Sequence, residues 1–170
     1  MIYKCVGAIL VIAGCGGAGF SIAAAHRKEE RTLRQLIAAL DYMECELLYR
    51  LTPLPDLCRQ AGQESKGTVG DVFLKLSMEL ENQFSPDVSS CMNAALSCGK
   101  PLPIHTMELF QLLGKSLGRF DLDGQLKGLE AVRESARKKL DQMLHNRDVR
   151  LRGYQTLGFC AGAALVILLI

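Results

Sequence analysis

The sequence predicts an all-α protein: a bundle of about six helices flanked by N- and C-terminal transmembrane helices. Three observations predict it. Both ends of the 170-residue chain are apolar, and the segment between them repeats its apolar residues at the helical period of 3.6. No stretch alternates with period 2 for long enough to argue a strand. A chain of this length has room for one domain plus its anchors.

The first element runs from Ile2 to Ala25 with one charge, Lys4, and no proline, and it abuts His26-Arg27-Lys28. Its 24 residues would make a helix of about 36 Å, enough to cross a ~30 Å hydrocarbon core with some tilt. Three readings compete for it. It can be a permanent transmembrane helix, or a secretory signal cleaved near Ala23-Ala24-Ala25. It can also be a lipoprotein signal, because Ile12-Ala13-Gly14-Cys15 has the small-residue-then-cysteine pattern that a lipid-modifying peptidase recognises.

Loop charge favours the first reading. One base, Lys4, precedes the stretch, whereas Arg27, Lys28, Arg31 and Arg34 follow it, a bias that keeps the following domain in the cytoplasm. The chain also stays apolar for ten residues after Cys15, where a mature lipoprotein would turn polar at once. At the other end Arg147, Arg150 and Arg152 precede the second apolar stretch and place the domain on the same side.

That second stretch is short. Leu157–Ile170 would give about 21 Å of helix, and Tyr154-Gln155-Thr156 would extend it to about 25 Å. Such a span thins the bilayer locally or packs beside the first. Small residues at Gly7, Ala13, Gly14, Gly16, Gly17, Ala18 and Gly19, and Gly158 with Gly162, would allow close helix contacts within the chain or by self-association. The expected organisation is therefore a transmembrane helix at 2–25, a cytoplasmic helical-bundle domain at 26–153 and a short transmembrane helix at 154–170.

Within the middle segment, Leu33, Leu36, Ile37, Leu40, Met43, Leu47 and Leu51 mark an amphipathic helix continuous with the first span. Thr52-Pro53 ends it and starts the next, with Thr52 as cap and Pro53 at the first helical position, running to about Gln63. Gly62 to Gly70 reads as a polar loop. Val69, Val72, Phe73, Leu76, Leu80 and Phe84 mark a third helix. Ser85-Pro86-Asp87 starts a fourth, with Asp87 in the first turn, ending near Cys98 before Gly99-Lys100-Pro101. Ile104, Leu109, Phe110, Leu113 and Leu117 define a fifth, ended by Gly118. The sixth begins near Asp123, shows Leu126, Leu129, Ala136, Leu140, Met143, Leu144 and Leu151, and runs into the second span.

Composition argues against several functions. The chain has 20 Lys+Arg and 18 Asp+Glu, so without Lys4 the net charge is near +1, no footprint for nucleic acid. The seven cysteines (Cys5, Cys15, Cys45, Cys58, Cys91, Cys98 and Cys160) include no C-x-x-C pair, and His26, His105 and His145 are far apart. Scattered thiols suit a reducing compartment and small buried apolar positions. No nucleophile elbow, phosphate-binding glycine loop or zinc-binding helix motif is present. Asp41, Glu44 and Glu46 read as a solvated helix face, and His105 as a residue facing water. No enzyme, cofactor, metal or small-molecule substrate is expected.

Two segments stand apart, Glu46-Leu47-Leu48-Tyr49-Arg50-Leu51-Thr52-Pro53-Leu54 and Leu117-Gly118-Arg119-Phe120-Asp121-Leu122-Asp123-Gly124-Gln125. Helix ends explain Thr52, Pro53, Gly118 and a capping Asp121 or Asp123. They do not account for Glu46, Tyr49, Asp121 and Gln125 occurring together.

With these segments, the N-terminal span, the Arg31-Thr32-Leu33 to Leu40 run and the short terminal span, the whole chain resembles the stage III sporulation protein AB family of endospore-forming bacteria. The resemblance implies a cytoplasmic six-helix domain similar to that of the platform protein of type II secretion and type IV pilus machines. It implies a subunit of the channel between mother cell and forespore, beside a secretion-like ATPase, stage III sporulation protein AA, and other membrane proteins of that complex. It places Glu46, Tyr49, Gly118, Asp121 and Gln125 either on an interaction surface or in polar junctions of the bundle. A secretion platform has two related helical domains and several spans, so a one-domain chain would need oligomers or partners. The alternative is an exported lipoprotein, anchored through Cys15, that acts as an envelope adaptor.

Overall fold

The computed structural model describes the backbone of residues 2–82, 87–118 and 121–169, and the side chains of 24–82, 87–118 and 121–145. Among the described residues there are helices and no strands. The order is α1 (Ile2–Arg50), α2 (Leu54–Glu64), α3 (Gly67–Glu81), α4 (Val88–Ser97), α5 (Ile104–Ser116) and α6 (Leu122–Leu169). The chain divides into two units, residues 1–28 with 141–170, and residues 29–140.

In the first unit the backbone is helical, as the start of α1 and the end of α6. Apart from Ala24 and Ala25, the two proposed spans, with Cys15, and Arg147, Arg150 and Arg152 lie outside the residues whose side chains are described. Among the described residues, no helix is long and apolar enough to cross a membrane.

The second unit holds the core. Leu33, Leu36, Leu40, Met43 and Leu47 are buried at the spacing of one helical stripe of α1. Leu57, Val72, Phe73, Leu76, Met92, Phe110 and Leu113 fill the space between the shorter helices. Phe73 of α3 and Phe110 of α5 meet edge to face, with ring centroids 5.3 Å apart. Each such side chain withdrawn from water contributes about 1.5–3 kcal/mol. From α6, Leu129, Val132 and Ala136 are buried. Beside them Arg133 is wedged between two acids of α1, with Nη1 3.0 Å from Asp41 Oδ1 and against the Glu44 carboxylate. Arg137 adds a 3.6 Å contact to Asp41. These pairs fix α1 and α6 as antiparallel neighbours.

Several local expectations differ from the structure. Gly62 to Gly70 is not a loop: α2 continues to Glu64, α3 starts at Gly67, and only two residues separate them. Gly62 is buried because α3 crosses it, and a Cβ there would lie 2.8 Å from Leu74 Cγ and 2.9 Å from its backbone nitrogen. Here glycine marks helix contact rather than a chain break. Thr52 does not cap α2. The helix begins at Leu54 with Pro53 at the boundary and Pro55 in the first turn, where a missing N–H is harmless. Leu51 leaves the apolar stripe because α1 ends at Arg50 and Leu51 takes φ +51°.

Ile104 likewise lies on the surface, 64% exposed at the first position of α5. Asp87 occupies the position before α4 rather than its first turn, and accepts a hydrogen bond from the Ser89 hydroxyl. Phe84, named above as the last residue of the third helix's pattern, and Ser85 and Pro86, named in the start of the fourth, lie outside the described residues. Asp41 and Glu44 are not simply a solvated face, since Arg133 and Arg137 neutralise them.

Candidate interaction site

The first singled-out segment forms the junction between α1 and α2. Leu51 holds a left-handed backbone, a conformation L-residues other than glycine rarely adopt, and reverses the chain after α1. The reversal brings Thr52 back over the last turn, where its hydroxyl donates to Glu46 Oε2 at 3.2 Å. Arg50 reaches the other oxygen of Glu46 at 3.5 Å, and the Glu46 side chain is only 12% exposed. One turn earlier, the Tyr42 hydroxyl donates to Gln60 Oε1 at 3.0 Å, tying α1 to α2. Burial pushes the Tyr42 phenol above its ordinary value, and the nearby Glu46 and Glu64 charges add to that.

The outer side of the same junction is apolar. Tyr49 is 85% exposed, Leu51 66% and Leu48 51%. Single exposed leucines are ordinary on a protein surface, but three large side chains within four residues form a patch.

The second segment forms the junction between α5 and α6. Leu117 is buried, and Gly118 follows with φ +75°. A Cβ on Gly118 would lie 2.5 Å from Val88 Cγ2 and 3.6 Å from Leu54 Cδ2, so both space and conformation select glycine. Asp121 then caps α6: its Oδ1 accepts the Gly124 N–H at 3.1 Å, and its carbonyl accepts the Gln125 N–H at 2.9 Å. Of the two candidate caps, the structure selects Asp121. Arg119 and Phe120 lie outside the described residues.

The two segments come together. Leu54, at the start of α2, packs beside Gly118, at the end of α5. Continuing the antiparallel register of Arg133 with Asp41 and Glu44 by about two turns brings Tyr49 level with the first turns of α6, where Gln125 lies. Leu122, also exposed, starts that helix. Both junctions therefore lie at the end of the 29–140 unit opposite to where α1 enters and α6 leaves, about 30 Å along α1 from Glu29.

The five candidate residues have different surroundings. Glu46 and Asp121 are spent on the junctions themselves, Gly118 on close packing. Gln125 is half-buried and already engaged, and Tyr49 stands out in water. Sequence reasoning missed Arg133 as the partner of Asp41 and Glu44. A partner 92 residues away leaves no local signal. It also missed Leu48 and Leu51 as surface residues, although the break at Thr52-Pro53 was the available clue.

Other chemistry is sparse among the described residues. No group of three or more His, Cys, Asp or Glu side chains could hold a metal. Cys58 is buried, which pushes its thiol up to about 12, and Cys91 is buried and raised too, first by burial and then by the Glu79 charge. Cys45 and Cys98 are exposed free thiols. His105 lies 3.5 Å from Glu108 and is partly exposed.

Comparison with known proteins gives a consistent result. The family model described as stage III sporulation protein AB matches residues 4–170. Stage III sporulation protein AB of Bacillus subtilis (strain 168) is 26% identical over 178 residues, covering 98% of each chain. A solved structure of a stage III sporulation protein AB is similar with a TM-score of 0.63 at 22% identity, covering 72% of this chain and 98% of its own, and supports the all-α fold. The chain belongs to the stage III sporulation protein AB family.

Proposed function

We propose that this protein is a membrane-anchored, non-catalytic subunit of the sporulation channel complex between mother cell and forespore. In this reading its helical domain faces the mother-cell cytoplasm and docks the secretion-type ATPase, stage III sporulation protein AA, in the manner of a platform protein. The membrane part rests on the apolar ends and on the loop charge that follows Ala25 and precedes Leu157. The family match spans both ends, which fits anchors that belong to the working protein.

One observation carries the docking site. The two singled-out segments pack against each other through Leu54 and Gly118, and beside them Leu48, Tyr49 and Leu51 are turned into water. Large aromatic and aliphatic side chains of this kind anchor protein interfaces. Glu46, Gly118, Asp121 and Gln125 build and hold the junctions; Tyr49 is the contact residue.

The test is co-purification of the full chain with the ATPase from membranes. Tyr49→Ala is expected to weaken capture about tenfold or more, because an aromatic hot spot contributes on the order of 2 kcal/mol. Asp121→Arg should weaken it too, and Asp121→Asn, which can still cap, should do so less. Lys66→Ala, on the exposed α2–α3 connection, should leave capture unchanged. Undiminished capture by every variant in both segments would remove the site. For the lipoprotein alternative, a lipid-dependent mass shift abolished by Cys15→Ala would replace the anchor reading.

A further inference from the structure

The near-zero charge of the domain hides a division. Residues 27–34 carry four bases and two acids, and residues 137–152 carry six and two, a combined net charge of +6 beside the apolar ends. The intervening residues 35–136 carry nine bases and fourteen acids, a net charge of −5.

The described side chains show where part of this charge stands. Arg27, Arg31 and Arg34 are exposed and spaced four and three residues apart, so they share one face of α1. Around Arg31 and Arg34, the opposite face carries Leu33, Leu36 and Leu40 into the core. Glu30 pairs with Arg34 at 3.0 Å and neutralises part of the stripe. At 1.5 Å per residue, the three arginines come about 3, 9 and 13 Å of helix after Ala25. The headgroup layer is roughly 5–8 Å deep on each side, and fields in physiological salt reach about 8 Å beyond it.

We propose that the arginine stripe of α1 binds the phosphate-bearing headgroups of anionic phospholipids in the bilayer that the apolar ends enter. Guanidinium groups recognise phosphate oxygens by paired, charge-assisted hydrogen bonds, and each base near an anionic surface strengthens attachment severalfold. The occupant is lipid rather than nucleic acid because the bases continue directly from an apolar stretch. The net charge of residues 35–136 is of the opposite sign and adds nothing to such attachment. The proposal rests on the anchor reading.

The test uses the full chain, purified in detergent and examined by native mass spectrometry with equal amounts of phosphatidylglycerol and phosphatidylcholine. Phosphatidylglycerol should be retained preferentially, and the triple change Arg27→Gln, Arg31→Gln, Arg34→Gln should cut that preference roughly tenfold or more. The control Lys66→Gln, Lys100→Gln, Lys115→Gln should keep it. Carbonate extraction of membranes separates the two readings. Wild-type chain that stays in the membrane but holds both lipids equally overturns the lipid site and leaves the anchor standing. Wild-type chain released by carbonate overturns the anchor and the site together. Binding of a generic DNA duplex lost in the same triple variant would assign the stripe to nucleic acid instead.

Discussion

The two helix junctions of the 29–140 unit solve one geometric problem with different residues. Each ends a helix in a left-handed backbone, Leu51 at φ +51° and Gly118 at φ +75°. At Gly118 the surroundings close in, with Val88 and Leu54 where a side chain would stand. At Leu51 the side chain projects outward and little packs on it. Glycine at the second junction is therefore required by packing. Leucine at the first is strained without any packing return inside the monomer. A strained residue that also exposes apolar surface marks a place where something other than the fold sets the sequence.

Opposite responses to substitution would show this difference, and the largest is expected at Gly118. Gly118→Ala puts a methyl 2.5 Å from Val88 Cγ2 in an unfavourable conformation, and should cost about 2–4 kcal/mol in denaturant unfolding. A loss below about 1 kcal/mol would mean that the junction relaxes easily and that the comparison is overstated. Next comes Asp121→Ala, which removes the side-chain cap of α6 and should cost about 1 kcal/mol. The first junction has no equivalent cap to lose, since no side chain caps α2.

The junctions should also differ in their response to alkali. Tyr42 beside the first one is held above its ordinary value by burial and by the Glu46 and Glu64 charges. Its protonated form is thus favoured in the folded state. That contribution is complete below the unfolded tyrosine value of about 10 and fades as pH rises through the higher folded value. Tyr42→Phe should lose about 1 kcal/mol at neutral pH with the Gln60 hydrogen bond, then show a flatter alkaline limb than wild type. Parallel alkaline limbs in the two proteins would assign the pH response elsewhere. The smallest effect is expected at Leu51→Gly, which relieves the backbone and should stabilise the monomer by up to about 1 kcal/mol. The same change should weaken partner capture, a stability gain and a binding loss in one variant.

Much of the fold was legible because helical periodicity is a local property. Leu33, Leu36, Leu40, Met43 and Leu47 announced the buried stripe of α1, and the prolines and glycines at 53, 99, 101 and 118 announced the breaks. Gly62 and Gly70 misled, because glycine at a helix crossing and glycine in a loop look alike until the crossing helix is known. The candidate site was legible as two segments, but not as one place. The contact of Leu54 with Gly118 bridges 64 positions of sequence, and no pattern within either segment encodes it. Exposure of Tyr49 and Leu51 was equally hidden, since both continue a run that reads as amphipathic helix until Thr52-Pro53 ends it.

The pairing of Arg133 with Asp41 and Glu44 has a consequence for the order of events during synthesis. Contacts between residues close in sequence form fast, and those across long loops form late. The α2–α3 hairpin, joined by two residues and locked by the Gly62 crossing, can close as soon as Glu81 has left the ribosome. The clasp of Asp41 and Glu44 must wait for Arg133 of α6, some fifty residues later. Until then Leu129, Val132 and Ala136 have not arrived to complete the core, and any helper that shields nascent chains has its window there.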